Sequence, residues 1–176
     1  MKPSPDRHNF TELAQPARAV PGDGELRLRV RYCECDPMGV AHHAAYIPWL
    51  EMGRTELLRT SGISYAHMEA AGVFLVITRL EARYRRPARY DDELALVTKV
   101  VGGGRARVDH EYELWRCEGV PPQGRGKVEL LLTASTTLAC VDGDGRPRPL
   151  PEWLRPESHE GVQSRADSDS PTPRAT

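Results

Sequence analysis

The run Asp36 to Tyr46, DPMGVAHHAAY, gathers one acid, a flexible glycine and two histidines directly ahead of a readable helix start. Unpaired backbone N–H groups at a helix N-terminus carry partial positive charge and can hold an anion or a developing oxyanion. Asp36 and His43 beside such donors have the makings of a catalytic loop, and Gly39 lets the backbone come close to a ligand. Each residue also has a plainer role. An Asp before Pro and Gly is a turn former, a histidine there caps the helix or bonds a loop carbonyl, and Tyr46 falls on an apolar face.

Two elements must hold this loop. Upstream, Leu26 to Tyr32 alternates Leu26, Leu28, Val30 and Tyr32 with Arg27, Arg29 and Arg31, the period of a half-buried strand. Downstream, Tyr46, Trp49, Leu50, Gly53 and Leu57 recur at three and four residues, one apolar face of a helix. Pro48 belongs in a first turn, so the helix starts near Ala44 or Ala45, and Gly62 ends it. Gly53 lies on the apolar face and would let a strand backbone approach closely. A short helical turn is expected over Ser64 to Ala71, ahead of Gly72.

After Gly72 the pattern is strand. Val73 to Arg85 begins as a continuous apolar run and ends in alternation, and Pro87 stops or bends it. Glu93 to Val101, a glycine turn at Gly102 to Gly104, and Ala106 to Arg116 read as a hairpin. A last strand covers Lys127 to Val141, ending at the turn Asp142 to Gly145. One helix against a mainly antiparallel sheet is an α+β layer arrangement.

The chain of 176 residues is 39% hydrophobic with a net charge of −1, which predicts no general affinity for nucleic acid or acidic membranes. It has no run of 18 apolar residues and no apolar leader, so a cytoplasmic location is the default. Cys33, Cys35, Cys117 and Cys140 have no disulfide-framework spacing and are read as thiols. Residues 1–24 and 156–176 lack apolar periodicity and are expected to be disordered, leaving one domain over 25–155.

Val30 to Arg59 closely resembles the opening segment of hotdog-fold acyl-CoA thioesterases of the 4-hydroxybenzoyl-CoA thioesterase group, including bacterial members associated with the Tol-Pal system. Tyr84 to Leu94, YRRPARYDDEL, resembles that family's proline bend, and Leu138 to Leu154 its last strand and closing turn. The resemblance implies a sheet wrapped around the long helix, subunits paired as a homodimer or assembled further as a homotetramer, and hydrolysis of an acyl-CoA thioester without metal or other cofactor. It matches Asp36 to the catalytic aspartate, His43 to the active-site histidine and Tyr46 to a tyrosine near the helix start.

In such a site Asp36 would attack the thioester carbon directly, or position and deprotonate water. Backbone N–H groups near His43 to Tyr46 would meet the carbonyl oxygen as it becomes negative. Gly39 and Tyr46 are candidate substrate contacts, with Trp49, Phe74 and Ile77 as acyl-pocket lining for a short-chain or aromatic group. CoA phosphates need cations: Arg83, Arg85, Arg86 and Arg89 cluster around Pro87, and Arg105 and Arg107 flank the glycine turn. Glu51 is a second candidate acid on the helix. Three rival readings stand beside this one: an acyl-carrier-protein thioesterase, a hydratase or silent acyl-binding subunit on the same fold, and a metal module built on Cys33, Cys35, His42 and His43.

Overall fold

In a computed structural model the structure describes residues 15–118 and 126–156. Five strands form one antiparallel sheet: β1 (Asp23–Arg29), β2 (Phe74–Tyr84), β3 (Glu93–Gly104), β4 (Arg107–Glu118) and β5 (Gly126–Val141). Their order is β1-β3-β4-β5-β2, so β1 and β2 are the edges. The long helix α1 (Tyr46–Thr60) packs on the face made by β1 and β3, and the short helix α2 (Tyr65–Ala70) follows it. This is the hotdog arrangement that the resemblance implies.

The core follows the predicted periods. Tyr46, Trp49, Leu50, Gly53 and Leu57 are buried on one side of α1, together with Leu58. Tyr46, Trp49 and Leu50 cluster with Leu94 and Leu96 of β3, Tyr112 and Leu114 of β4, and Leu131 and Leu132 of β5, while Leu58 joins a second cluster with Val108 and Leu138. A methyl group on Gly53 would fall 2.7 Å from Leu96 Cδ2 and closer still to Thr98 Oγ1. Side chains of the strand, not its backbone, therefore occupy the space that this glycine leaves. Gly62, at φ +90°, ends the helix as expected, and Ser64 caps α2 by accepting from the His67 N–H.

The structure corrects several expected boundaries. The first strand pairs only to Arg29, opposite Glu93, because β3 begins there. Val30 instead donates to the Asp92 carbonyl at 3.0 Å, and Tyr32–Glu34 forms a single 3-10 turn with Tyr32 exposed. Gly102, Gly103 and Gly104 are not a turn but the end of β3, opposite Asp109, Val108 and Arg107, after a register shift; Arg105 and Ala106 make the connection. Gly103 faces the Arg107 carbonyl and Pro156, whose Cγ would lie 2.8 Å from an added Cβ.

The fold also begins before residue 25. β1 opens at Asp23, Arg18 donates to the Ser61 carbonyl, and Val100 donates to the Gly22 carbonyl at 2.7 Å. The remaining tail residues, 1–14 and 157–176, lie outside the described residues. All four cysteines are free thiols. No helix among the described residues is long and apolar enough to cross a membrane.

Candidate active site

The Asp36 loop is a closed hairpin turn. Cys35 and Ala41 form a bridge across it, Asp36 donates its N–H to the Val40 carbonyl, and Gly39 donates to the Asp36 carbonyl at 2.9 Å. Pro37 follows the acid, and Gly39 adopts φ +76°, a conformation that a residue with a Cβ rarely takes. The Asp36 carboxylate accepts the Met38 N–H at Oδ1, 2.8 Å away. Oδ2 has no partner among the described residues, and the side chain is half-buried.

The loop rests on the bend around Pro87. Ala88 is fully buried at the joint; its carbonyl takes the Ala41 N–H at 2.8 Å, and its own N–H donates to the Tyr46 hydroxyl at 3.1 Å. Val40 bridges Arg89 alongside. The bend is fixed from the sheet by Arg116, which donates to the Pro87 carbonyl at 2.7 Å and pairs with Asp92 and Glu129. The two motifs, far apart in sequence, are therefore one structural unit.

Glu34 ties the same loop to α1, and sequence reasoning missed it. Its side chain is 8% exposed and accepts the Trp49 indole N–H at 3.0 Å, the Arg31 backbone N–H at 2.7 Å and the Arg31 guanidinium. Its carbonyl accepts the His42 N–H. Burial pushes this carboxyl up, but the bonds from Arg31 and Trp49 outweigh it and hold the group below its ordinary range. Only the E of the run RYCECD signalled this role, and its partner Trp49 is fifteen residues on.

At the helix start, His43–Ala45 forms a 3-10 turn ahead of α1. His42, exposed, caps it: Nδ1 accepts the Ala44 N–H at 3.2 Å and its carbonyl accepts the Ala45 N–H. The Tyr46 N–H is directed at the Ala44 carbonyl, so three of the expected oxyanion donors are already used. The His43 N–H, first in the turn, makes no hydrogen bond among the described residues. The His43 ring is exposed and stacks on His42 at 4.0 Å between centroids, and its carbonyl accepts from the Tyr84 hydroxyl.

The other candidates separate. Tyr46 is 2% exposed, and its hydroxyl is engaged by the Ala88 N–H. Burial raises its phenol pKa. Trp49 is equally buried, whereas Ile77 is exposed on β2 and Phe74 is half-buried. Glu51 points outward and pairs with Arg54 at 3.0 Å. Arg89 sits beside the loop, exposed and without an ion pair among the described residues; Arg83 pairs with Glu81 and Arg86 with Glu129. Arg105 and Arg107 lie at the opposite end of β3 and β4, roughly 30 Å along the strands from Glu93. Within one protomer they cannot share a ligand contact with Asp36.

Comparison with known proteins agrees with this picture. The profile of the thioesterase-like superfamily matches residues 30–157. The chain is 28% identical over 131 residues to the putative acyl-CoA thioesterase YneP of Bacillus subtilis, covering 72% of this chain and 88% of that one. It is 30% identical over 128 residues to the acyl-CoA thioester hydrolase YbgC of Escherichia coli O6:H1, covering 72% and 89%. Among solved structures, the DHNA-CoA thioesterase of Staphylococcus aureus superposes with a TM-score of 0.64 at 30% identity, covering 72% of this chain and 80% of that one.

Proposed function

The chain belongs to the thioesterase-like superfamily, and on that premise we propose that it hydrolyses an acyl-CoA thioester to the free acid and CoA with Asp36 as the central catalytic group. The observation that carries this reading is the Asp36 carboxylate itself. One oxygen is fixed by Met38, the other is free, and the loop is clamped from both sides by Ala88 and Glu34. Pre-organisation of that kind is what positions a reacting group.

Two routes start from the free oxygen. In one, Oδ2 attacks the carbonyl carbon, the C–S bond breaks, CoA leaves as its thiolate, and water opens the resulting anhydride. In the other, Oδ2 takes a proton from water as that water attacks. Label in the Asp36 carboxylate after a single turnover in ¹⁸O-water identifies the first route with water opening the anhydride at the Asp36 carbonyl, because the second route never forms a bond to Asp36. On either route the His43 N–H meets the oxygen that becomes negative, a contribution of typically ~3 kcal/mol. The His43 ring orients the substrate, and the exposed backbone at Gly39 borders it.

A short-chain or aromatic acyl group fits this reading, the aromatic choice being supported by the neighbour named for DHNA-CoA. Arg89 is assigned to a CoA phosphate. Arg105 and Arg107 serve that purpose only where a second copy completes the site. A second copy is itself part of the reading: the open edge β2 exposes Val76, Ile77, Leu80 and Tyr84, and sheet edges of this kind tend to be covered.

The test is a panel of aliphatic and aromatic acyl-CoA esters with matching acyl-carrier-protein esters, following thiol release and identifying the acid. The expected result is free acid and thiol from at least one acyl-CoA. Acid from carrier esters alone would move the substrate class. Hydration of an enoyl thioester without thiol release would replace hydrolysis altogether.

A further inference from the structure

A cavity of about 540 Å³ lies on the other half of α1 from the Asp36 loop, within the size range of ligand pockets. Leu57 and Leu58 from the end of α1, Val100 and Val108 from the sheet, Trp153 from the closing turn and Val20 from the N-terminal segment give it apolar walls. The wall at Ala19–Gly22 comes from the segment just ahead of β1. It is fastened by the Arg18 bond to Ser61 and the Val100 bond to Gly22.

Arg54, Thr55, Tyr65, His110, Glu152 and Arg155 bring polar side chains to the same space, and of these His110 and Arg54 are the two with bonding capacity to offer. His110 is 6% exposed, and its ring makes no hydrogen bond among the described residues; Nδ1 is sealed with no partner. A buried polar group left unpaired is costly, and His110 borders the cavity, so a ligand group that bonds the ring's N–H would offset part of that cost. Burial first, and then the nearby Arg54 charge, keep the imidazole neutral, with its pKa lowered to about 4. A neutral ring carries one N–H to give. Arg54 has a side chain only 12% exposed, and its guanidinium, paired with the largely solvated Glu51, has donors in excess of that pair.

A largely buried cation near an unpaired imidazole, on the wall of a cavity with apolar sides, suits a ligand with an anionic head and an apolar tail. We propose that this cavity binds a small amphiphilic carboxylate, its head on Arg54 and His110 and its alkyl tail among the apolar walls. The site is separate from Asp36 within the protomer, and the proposal does not rest on hydrolysis.

The test is calorimetric titration of the full chain with decanoate and with decanol, which share a tail and differ in the head. Decanoate is expected to saturate at one site per chain and to bind at least about tenfold more tightly than decanol. Because this comparison uses the unaltered protein, it stands even where a variant fails to fold. In Arg54→Met the preference for the acid is expected to fall below about threefold, and His110→Phe should weaken decanoate while sparing decanol. Equal binding of acid and alcohol, a preference that survives Arg54→Met, or no binding of either would overturn the proposal.

Discussion

At the scale of single residues, Glu34 holds the loop in place more than any other side chain near Asp36. Its buried carboxylate joins Arg31 and Trp49, and its backbone carbonyl takes the His42 N–H, so one residue ties the loop to α1 and to the helix start. Glu34→Gln keeps the shape but removes the charge, and hydrogen bonds to charged groups contribute about 1.5–3 kcal/mol. The expected outcome is a loss of about 2 kcal/mol in urea unfolding and at least a tenfold fall in thiol release. Unchanged stability and rate would remove Glu34 from the account. The turn at Asp36 and the helix start beyond His43 were legible because turn chemistry and helix signals are local; the Glu34–Trp49 and Ala88–Ala41 bonds were not, because those partners lie fifteen and forty-seven residues apart.

His110 makes a second prediction at this scale. The unfolded chain takes up a proton at this residue as pH falls through its ordinary 6.5, but the folded chain does so only near 4. Stability is therefore lost as pH drops across that window, by up to about 3 kcal/mol, and none of this loss is felt above about pH 7. Glu34 and Glu25, held below their ordinary 4.5, act the same way but only at lower pH. The urea midpoint is expected to decline from about pH 6.5 in the native chain, and from about pH 4.5 in His110→Gln. A native midpoint that stays flat from pH 7 to 5 would contradict this.

At the scale of elements, Gly53 shows a local preference overruled by packing. Alanine is the better helix former by about 1 kcal/mol, yet its methyl group would press into Leu96 and Thr98. Gly53→Ala is expected to destabilise the fold by about 1–3 kcal/mol, read in urea unfolding; a stabilised variant would show that β3 can yield. The helix, its apolar face and its end at Gly62 could be read directly, since 3.6-residue periodicity and a terminal glycine are strong signals. The strand ends could not. Alternation continues through Tyr32, but pairing stops where the neighbouring strand begins at Glu93. The glycines at 102–104 looked like a turn, whereas the structure uses Gly103 for its close approach to Arg107 and Pro156. Composition reports that a chain is permissive; only the neighbouring segments decide what that permission is used for.

At the scale of the whole molecule, the open β2 edge carries the assembly prediction. Ile77 and Leu80 are 41% and 36% exposed in the protomer, in a strand with a free hydrogen-bonding side. The native chain is expected to run as a dimer or tetramer in light scattering, and Ile77→Lys with Leu80→Lys to run as a monomer with reduced hydrolysis. A monomeric native chain of full activity would refute this. The most direct test of the central claim is thiol release by the native chain and Asp36→Asn, compared at equal oligomeric state on the best acyl-CoA ester. The account predicts a fall of at least ~100-fold, about 2.7 kcal/mol of barrier; equal rates in the two proteins would contradict it.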